Sequence, residues 1–412
     1  MSGPRTAMTP AVVVMTITLL LGLQPVTTDL YLPALPTMQR ELGATASATQ
    51  MTLSALIICF GLAQLACGPL SDRFGRRPVL LGGMALYCVA SVMGALAQDI
   101  GTLVGWRGVQ GAAMAAAVTC GRSMVRDLFQ PHEGARVMSR ALGGLGLIAL
   151  LSPALGGLLV QWLSWHAALL ATALFGAATL AFIAWRFEET LAQRDPRATQ
   201  LVPLLNNWRS VLRHPSFRAW TALLCCTYGG IFTILASSSF VFIDVLGLSR
   251  MAYGGVLAVN SLAYIVGTVL CRHLLLRHGL RGAVKRAALF SLAGGLSMAA
   301  FSLAGVHSVW AIMVPMVLFA IGHGVNQPCG QAGAVGPFPE KAGTAASMSG
   351  FLMMLTAFSA GVVLGRSING TVFPLTLGVG FFGVVLAVVA WTLVQRHGEP
   401  AGWPAMAAPA PT

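Results

Sequence analysis

The sequence predicts an all-α integral membrane protein with twelve transmembrane helices in two six-helix, pseudo-symmetric halves, and three observations carry that reading. Of its 412 residues, 56% are hydrophobic and 9% charged, too little polar surface for a chain that faces water on every side. Apolar runs of about 20 residues, the length that crosses a bilayer core of ~30 Å, recur from end to end. The longest polar connection, residues 188–217, divides those runs six and six.

Taken in order, the runs are 12–36, 49–70, 79–97, 101–123, 138–162, 165–187, 218–240, 252–275, 285–305, 308–332, 344–365 and 371–394. The first is read as a span and not a cleaved leader: it is longer than 20 residues, only Arg5 precedes it, and it ends in YLPALP where a leader has a small-x-small site. The predicted organisation is a first half (1–187), a cytoplasmic linker (188–217), a second half (218–394) and a Pro/Ala-rich, disordered cytoplasmic tail (395–412). Two six-helix halves are one layout of secondary transporters, with the substrate site at the repeat interface. A trace of the repeat survives in the sequence. Setting Gly279 on Gly75 sets Arg277 on Arg73 and Arg281 on Arg77, while Leu276 replaces Asp72.

Arginine and lysine set the orientation. With both ends cytoplasmic, the outer connections keep only Arg40, Arg250 and Arg366, and the other basic residues of the connections face the cytoplasm. That asymmetry gives a multi-pass protein with both termini cytoplasmic, expected in a bacterial-type inner (plasma) membrane. It also disposes of the net charge of +13 as a nucleic-acid signal, because the basic residues are scattered among short loops and form no basic domain. The eight cysteines lie in or at the ends of apolar runs without a CxxC pair or His/Cys cluster. They read as buried small hydrophobes, and neither a metal nor another cofactor is expected.

Two charges fall inside runs. In TTDLYLPALPTM, Asp29 lies about seven residues, or ~10 Å, from the outer end of the first. In LVGWRGVQG, Arg107 lies about six residues inside the outer end of the fourth, at similar depth. Intramembrane charges pair and face an interior cavity, so the two are expected to meet, with Gln110 as the alternative partner of Asp29. Two blander readings stand beside this: Asp29 as a solvated cap in an outer extension broken by Pro33 and Pro36, and Arg107 as a structural pair or carbonyl cap. His323, Asn326 and Gln327 in GHGVNQPCG, and Tyr31, are read as cavity-lining candidates. For the first three, hydrogen bonding between helices is the equal alternative. Asp244, at the outer end of the seventh run, reads as a solvated cap.

The stretch GPLSDRFGRRPVLL crowds four charges into residues 72–77. It resembles the loop between helices two and three of the major facilitator superfamily, G-x-L-[SA]-D-R-x-G-R-[RK], through Gly68, Leu70, Asp72, Arg73, Gly75, Arg76 and Arg77. The resemblance implies a cytoplasmic latch between the halves, with Asp72 near the start of span eleven and Arg76 also near Asp127. D-x-Y-x-P-A-x-P in span one, R-x-x-Q-G in span four and RDLF at 126–129 resemble the superfamily's drug:proton antiporters of the Bcr/CflA type. That likeness ties Asp29, Arg107 and Gln110 to proton coupling and substrate recognition. LLSPALGGLL keeps Pro153, Gly156 and Gly157 of the antiporter helix-packing motif, but Ser152 and Ile148 replace two of its glycines.

Other classes fit less well. With twelve acids and no HExxH, GxSxG or GxxxxGK[ST] pattern, an enzyme or an ATP-driven pump is disfavoured. The reading that results is proton-coupled efflux of small amphipathic drugs, bicyclomycin- or chloramphenicol-like, by alternating access, with drug, protons and bilayer as partners and a monomer as the unit. A proton-coupled uptake symporter for a small metabolite is the alternative, and a receptor or channel the third.

Overall fold

The computed structural model describes residues 8–129 and 131–398; most of the tail expected to be disordered lies outside the described residues. The described chain is helical. The first expected span is not continuous: α1 (Pro10–Thr28) is followed by a 3₁₀ turn, Leu32–Ala34, and a short α2 (Leu35–Glu41). Pro33 and Pro36 supply no N–H, so neither can donate to the carbonyl one turn back, although Leu35 before Pro36 keeps right-handed helical dihedrals. The segment Leu30–Met38 is nevertheless buried throughout.

Then come α3 (Ala46–Phe74), α4 (Arg76–Ala95), α5 (Ile100–Leu128), α6 (Pro131–Trp162) and α7 (Trp165–Arg186). Side-chain caps start three of them and one later helix. Thr45, Asp99, Ser164 and Ser308 each accept from the amide three residues on, at 2.8–3.2 Å, satisfying a donor the helix start leaves open. The polar connection expected at 188–217 contains a helix, α8 (Leu201–Arg213), which exposes Leu201, Leu205 and Leu212 beside Arg209 and Arg213. α9 (Pro215–Ser239) runs on into a π-helical turn, Phe240–Val245. The chain ends through α10 (Arg250–Leu303), α11 (Val309–Val335), α12 (Ala342–Ser367), α13 (Phe373–Trp391) and α14 (Leu393–His397).

Among the described residues, ten helical stretches are long and apolar enough to cross a membrane. Two local facts reconcile this with twelve expected spans. α10 changes direction at Gly279 (φ +63°), where glycine alone is at ease, and so serves as the eighth and ninth spans in one helix. α5 has the length of a span but not its hydropathy, because Arg107 and Gln110 sit among its glycines.

The chain forms two compact units. One comprises the residues up to Leu205 with 247–258 and 361–366; the other comprises 206–246, 259–360 and the residues from Ser367 on. In the first, α5 packs on α3, α4 and α1, while α7 packs on α4 and α1. In the second, α9 packs on α11 and α13. Leu86, Val89 and Leu174 of the first unit are exposed, as side chains facing lipid are.

Candidate functional site

The break in the first span places the candidate site. α1 ends at Thr28, so beyond Pro25 O, which accepts from the Asp29 N–H, the carbonyls of its last turn have no helical successor to bond. One of them, Thr27 O, accepts from Arg107 Nη2 at 3.0 Å. Arg107 Nη1 donates to Gln110 Oε1, one turn along α5, at 2.6 Å, and Gln110 Nε2 donates to Ser91 Oγ of α4 at 2.7 Å. The guanidinium lies over the Tyr31 ring, 4.1 Å from its centroid, and the Tyr31 hydroxyl donates to Thr52 of α3. Thr27 Oγ1 and Tyr87 OH close the network at 2.6 Å. Four helices thus hold a cation that is 1% exposed and whose Nε alone lacks a partner.

This corrects the expected pairing. Asp29 and Arg107 form no ion pair. Asp29 is half-buried at the end of α1 and accepts from Thr28 Oγ1 at 2.7 Å, while Arg107 is satisfied by a carbonyl, an amide and a ring. Gln110, the alternative partner of Asp29, belongs to the arginine's network. Tyr31, read as lining a cavity, is completely buried and forms the floor under Arg107.

The charges of residues 72–77 form a second site in the same unit. Arg76, though charged, is 3% exposed. It pairs with Asp72 at 2.5 Å and through Nε with Asp127 at 3.0 Å, and donates to Ser71 Oγ at 2.6 Å. Arg73 reaches Thr199 Oγ1 at 2.6 Å, Arg77 reaches the Ala184 carbonyl at 3.1 Å, and Gly68 lies beside Thr119 of α5. The residue that organises this end escaped the reading of the sequence. Glu189 accepts from the backbone N–H of Arg76 at 2.9 Å and of Arg77 at 3.1 Å, capping α4 from the linker. Its carboxylate occupies the space beside Gly75, where a Cβ would lie 2.5 Å from Oε2. Gly75 itself is at φ +103°, so glycine is required there twice over. The one available signal was a pair of acids, Glu188 and Glu189, directly after the last apolar residue of span six.

Of the helix-packing motif, Gly156 of α6 faces the broken segment: a Cβ there would lie 2.1 Å from the Leu30 carbonyl oxygen. Gly157 faces the Arg250 carbonyl in the same way, and the Pro153 carbonyl faces Gly254. In the second unit, His323 and Thr227 meet at 3.0 Å. Asn326 is fully buried and donates to Ser291 Oγ at 3.4 Å, the interhelical bond that was its alternative reading, and Gln327 Nε2 turns to Met353 Sδ at 3.9 Å.

The sequence matches the family described as Major Facilitator Superfamily over residues 17–361. It is 28% identical over 393 residues to multidrug resistance protein D of Escherichia coli (strain K12), covering 93% of this chain and 96% of that protein. To the chloramphenicol resistance protein of Pseudomonas aeruginosa it is 31% identical over 320 residues, covering 77% and 74%. Among solved structures, the crystal structure of the D-xylose-proton symporter matches with a TM-score of 0.75 at 16% identity, covering 94% of this chain and 99% of that one, a likeness of fold.

Proposed function

Because the chain belongs to the major facilitator superfamily, we propose that it exports small amphipathic drugs across the inner membrane by alternating access, driven by entry of protons. The observation that carries this reading is the half-buried carboxylate of Asp29 at the break in the first span, beside a buried guanidinium that does not neutralise it. An ionisable residue inside a membrane marks a functional site by default, proton relays among them, and a broken helix is where such transporters place their ligands. The drug-resistance names of the relatives support the substrate class.

In this mechanism Asp29 takes a proton from the outer side as drug leaves and gives it up toward the cytoplasm, which resets the site. Arg107 and Gln110 keep the surroundings of Asp29 in one geometry, and Arg107 Nε offers a donor to the substrate. The Asp72–Arg76–Asp127 cluster, anchored by Glu189, sets the balance between conformations. The protein works as a monomer with both termini in the cytoplasm. It catalyses no reaction and binds no cofactor or nucleic acid.

Asp29→Asn in a host stripped of its own efflux pumps tests this. The variant is expected to insert at the wild-type level and to lose proton-driven uphill export. Uphill export by the variant overturns the role of Asp29, and drug moving in the same direction as the proton in the wild type replaces export by uptake.

A further inference from the structure

The second unit holds a polar cluster to which the mechanism above gives no task. Thr227 of α9 and His323 of α11 are buried in otherwise apolar helices, with Oγ1 and Nδ1 3.0 Å apart. The half-buried Tyr264 of α10 sets its ring against the imidazole, centroids 5.4 Å apart and planes tilted by 39°. The two helices come this close because Gly324 follows His323: a Cβ there would lie 2.5 Å from the Tyr264 carbonyl oxygen.

Hydrogen bonding determines which way the imidazole points its proton. Thr233, farther along α9, donates back to the Gly229 carbonyl, the ordinary solution for a hydroxyl in a span. Thr227 does not: among the described residues its one hydrogen-bond partner is His323. A buried hydroxyl proton needs an acceptor, so it goes to Nδ1, and the neutral ring then carries its own proton on Nε2. That N–H has no protein acceptor among the described residues, and neither has the Tyr264 hydroxyl. The cluster therefore presents two neutral donors beside an aromatic face, and neither donor atom is among the fully buried atoms that lack a partner.

We propose that Thr227, Tyr264 and His323 form a recognition site for a neutral ligand group bearing an acceptor oxygen, a carbonyl or nitro group on or next to a flat apolar body. The oxygen accepts from His323 Nε2, the Tyr264 ring covers the flat face, and Thr227 holds the imidazole in the donating tautomer. This deepens the export reading, and rests on it, by naming the substrate class. Thr227 acts through His323 and is a positioning residue. A lipophilic cation without an acceptor oxygen gains nothing from the His323 donor.

Equilibrium binding to the purified full chain in detergent tests the site with two radiolabelled probes: chloramphenicol, which has nitro and amide oxygens, and tetraphenylphosphonium, which has none. His323→Phe keeps a ring and removes the donor. Thr227→Val keeps the shape and releases the tautomer. Each is expected to weaken chloramphenicol binding by about tenfold, the worth of one hydrogen bond, and to leave tetraphenylphosphonium within about twofold. Equal losses for both probes, unchanged chloramphenicol binding, or a wild type that does not bind chloramphenicol overturns the site. Wild-type chloramphenicol binding with the expected variant pattern but without uphill export leaves the site standing and overturns export alone.

Discussion

Gly75 and Glu189 form one structural device, and their energetics are separable. Gly75→Ala imposes two costs. The first is backbone strain: φ +103° with ψ 156° is a region that glycine alone populates freely, and a side chain there costs about 1–3 kcal/mol. The second is loss of the cap, because a Cβ 2.5 Å from Glu189 Oε2 displaces the carboxylate from the Arg76 and Arg77 amides. Losing a helix cap costs about 1 kcal/mol, up to ~2. Glu189→Ala imposes the second cost only. The single substitutions therefore count the cap twice and the double substitution counts it once, so the pair is expected to lose about 1–2 kcal/mol less than the sum of the singles. Titration with sodium dodecyl sulfate in mixed micelles, followed by tryptophan fluorescence, reads all four stabilities. Additive losses would refute the claim that Glu189 occupies the space that Gly75 leaves.

Three further outcomes are expected. In the same titration, Arg107→Gln with Gln110→Leu should be strongly non-additive, by about 1.5–3 kcal/mol for a buried bond to a charged donor, whereas Arg107→Gln with Asp29→Asn should couple less; a larger coupling to Asp29 would restore the ion pair. Gly156→Leu should abolish folded yield by size-exclusion chromatography, since even its Cβ would sit 2.1 Å from the Leu30 carbonyl oxygen; a monodisperse variant at the wild-type level would show that α6 need not touch the break. Hydrogen bonds from the Thr102 hydroxyl and then its amide hold the Asp99 carboxyl below the ordinary carboxylate range. A depressed carboxyl keeps its cap above the unfolded value of about 3.9 and loses it as pH falls through the folded value. Exchange protection of the Thr102 amide should thus hold from neutral pH to about 4 and fall only below it, and loss of protection at pH 5 would contradict the cap.

The spans were legible because an apolar run of a given length has one stable fate in a bilayer, and the turn at Gly75 because a glycine flanked by charges marks a corner between two spans. Position along the helices was legible too: Asp29 falls directly after α1 and Arg107 in the first third of α5. Azimuth was not. Counting residues gives a height along a helix axis but not which neighbour the side chain meets, and the two charges turn to different partners. Glu189 was hidden for another reason: its contacts with Arg76 and Arg77 span 113 and 112 residues of sequence, and a carboxylate bonded to backbone amides leaves no mark on the residues it serves. Asp72 is paired within one turn, to Arg76, which local spacing does convey. The His323–Thr227 contact joins two helices 96 residues apart, beyond the reach of any local pattern.

The break in the first span resolves a conflict that the sequence poses. A buried guanidinium needs acceptors, and within a span the nearest strong acceptor is a carboxylate at the same height; had Arg107 taken Asp29, the acid would be neutralised in place and poorly suited to exchange protons. Ending α1 at Thr28 supplies another acceptor, because a helix that stops leaves carbonyls unclaimed, and Thr27 O takes the arginine. Gln110 and the Tyr31 face supply the rest. The stop at Thr28 converts a backbone group into a ligand for Arg107, and the carboxylate of Asp29 stays outside the arginine's coordination.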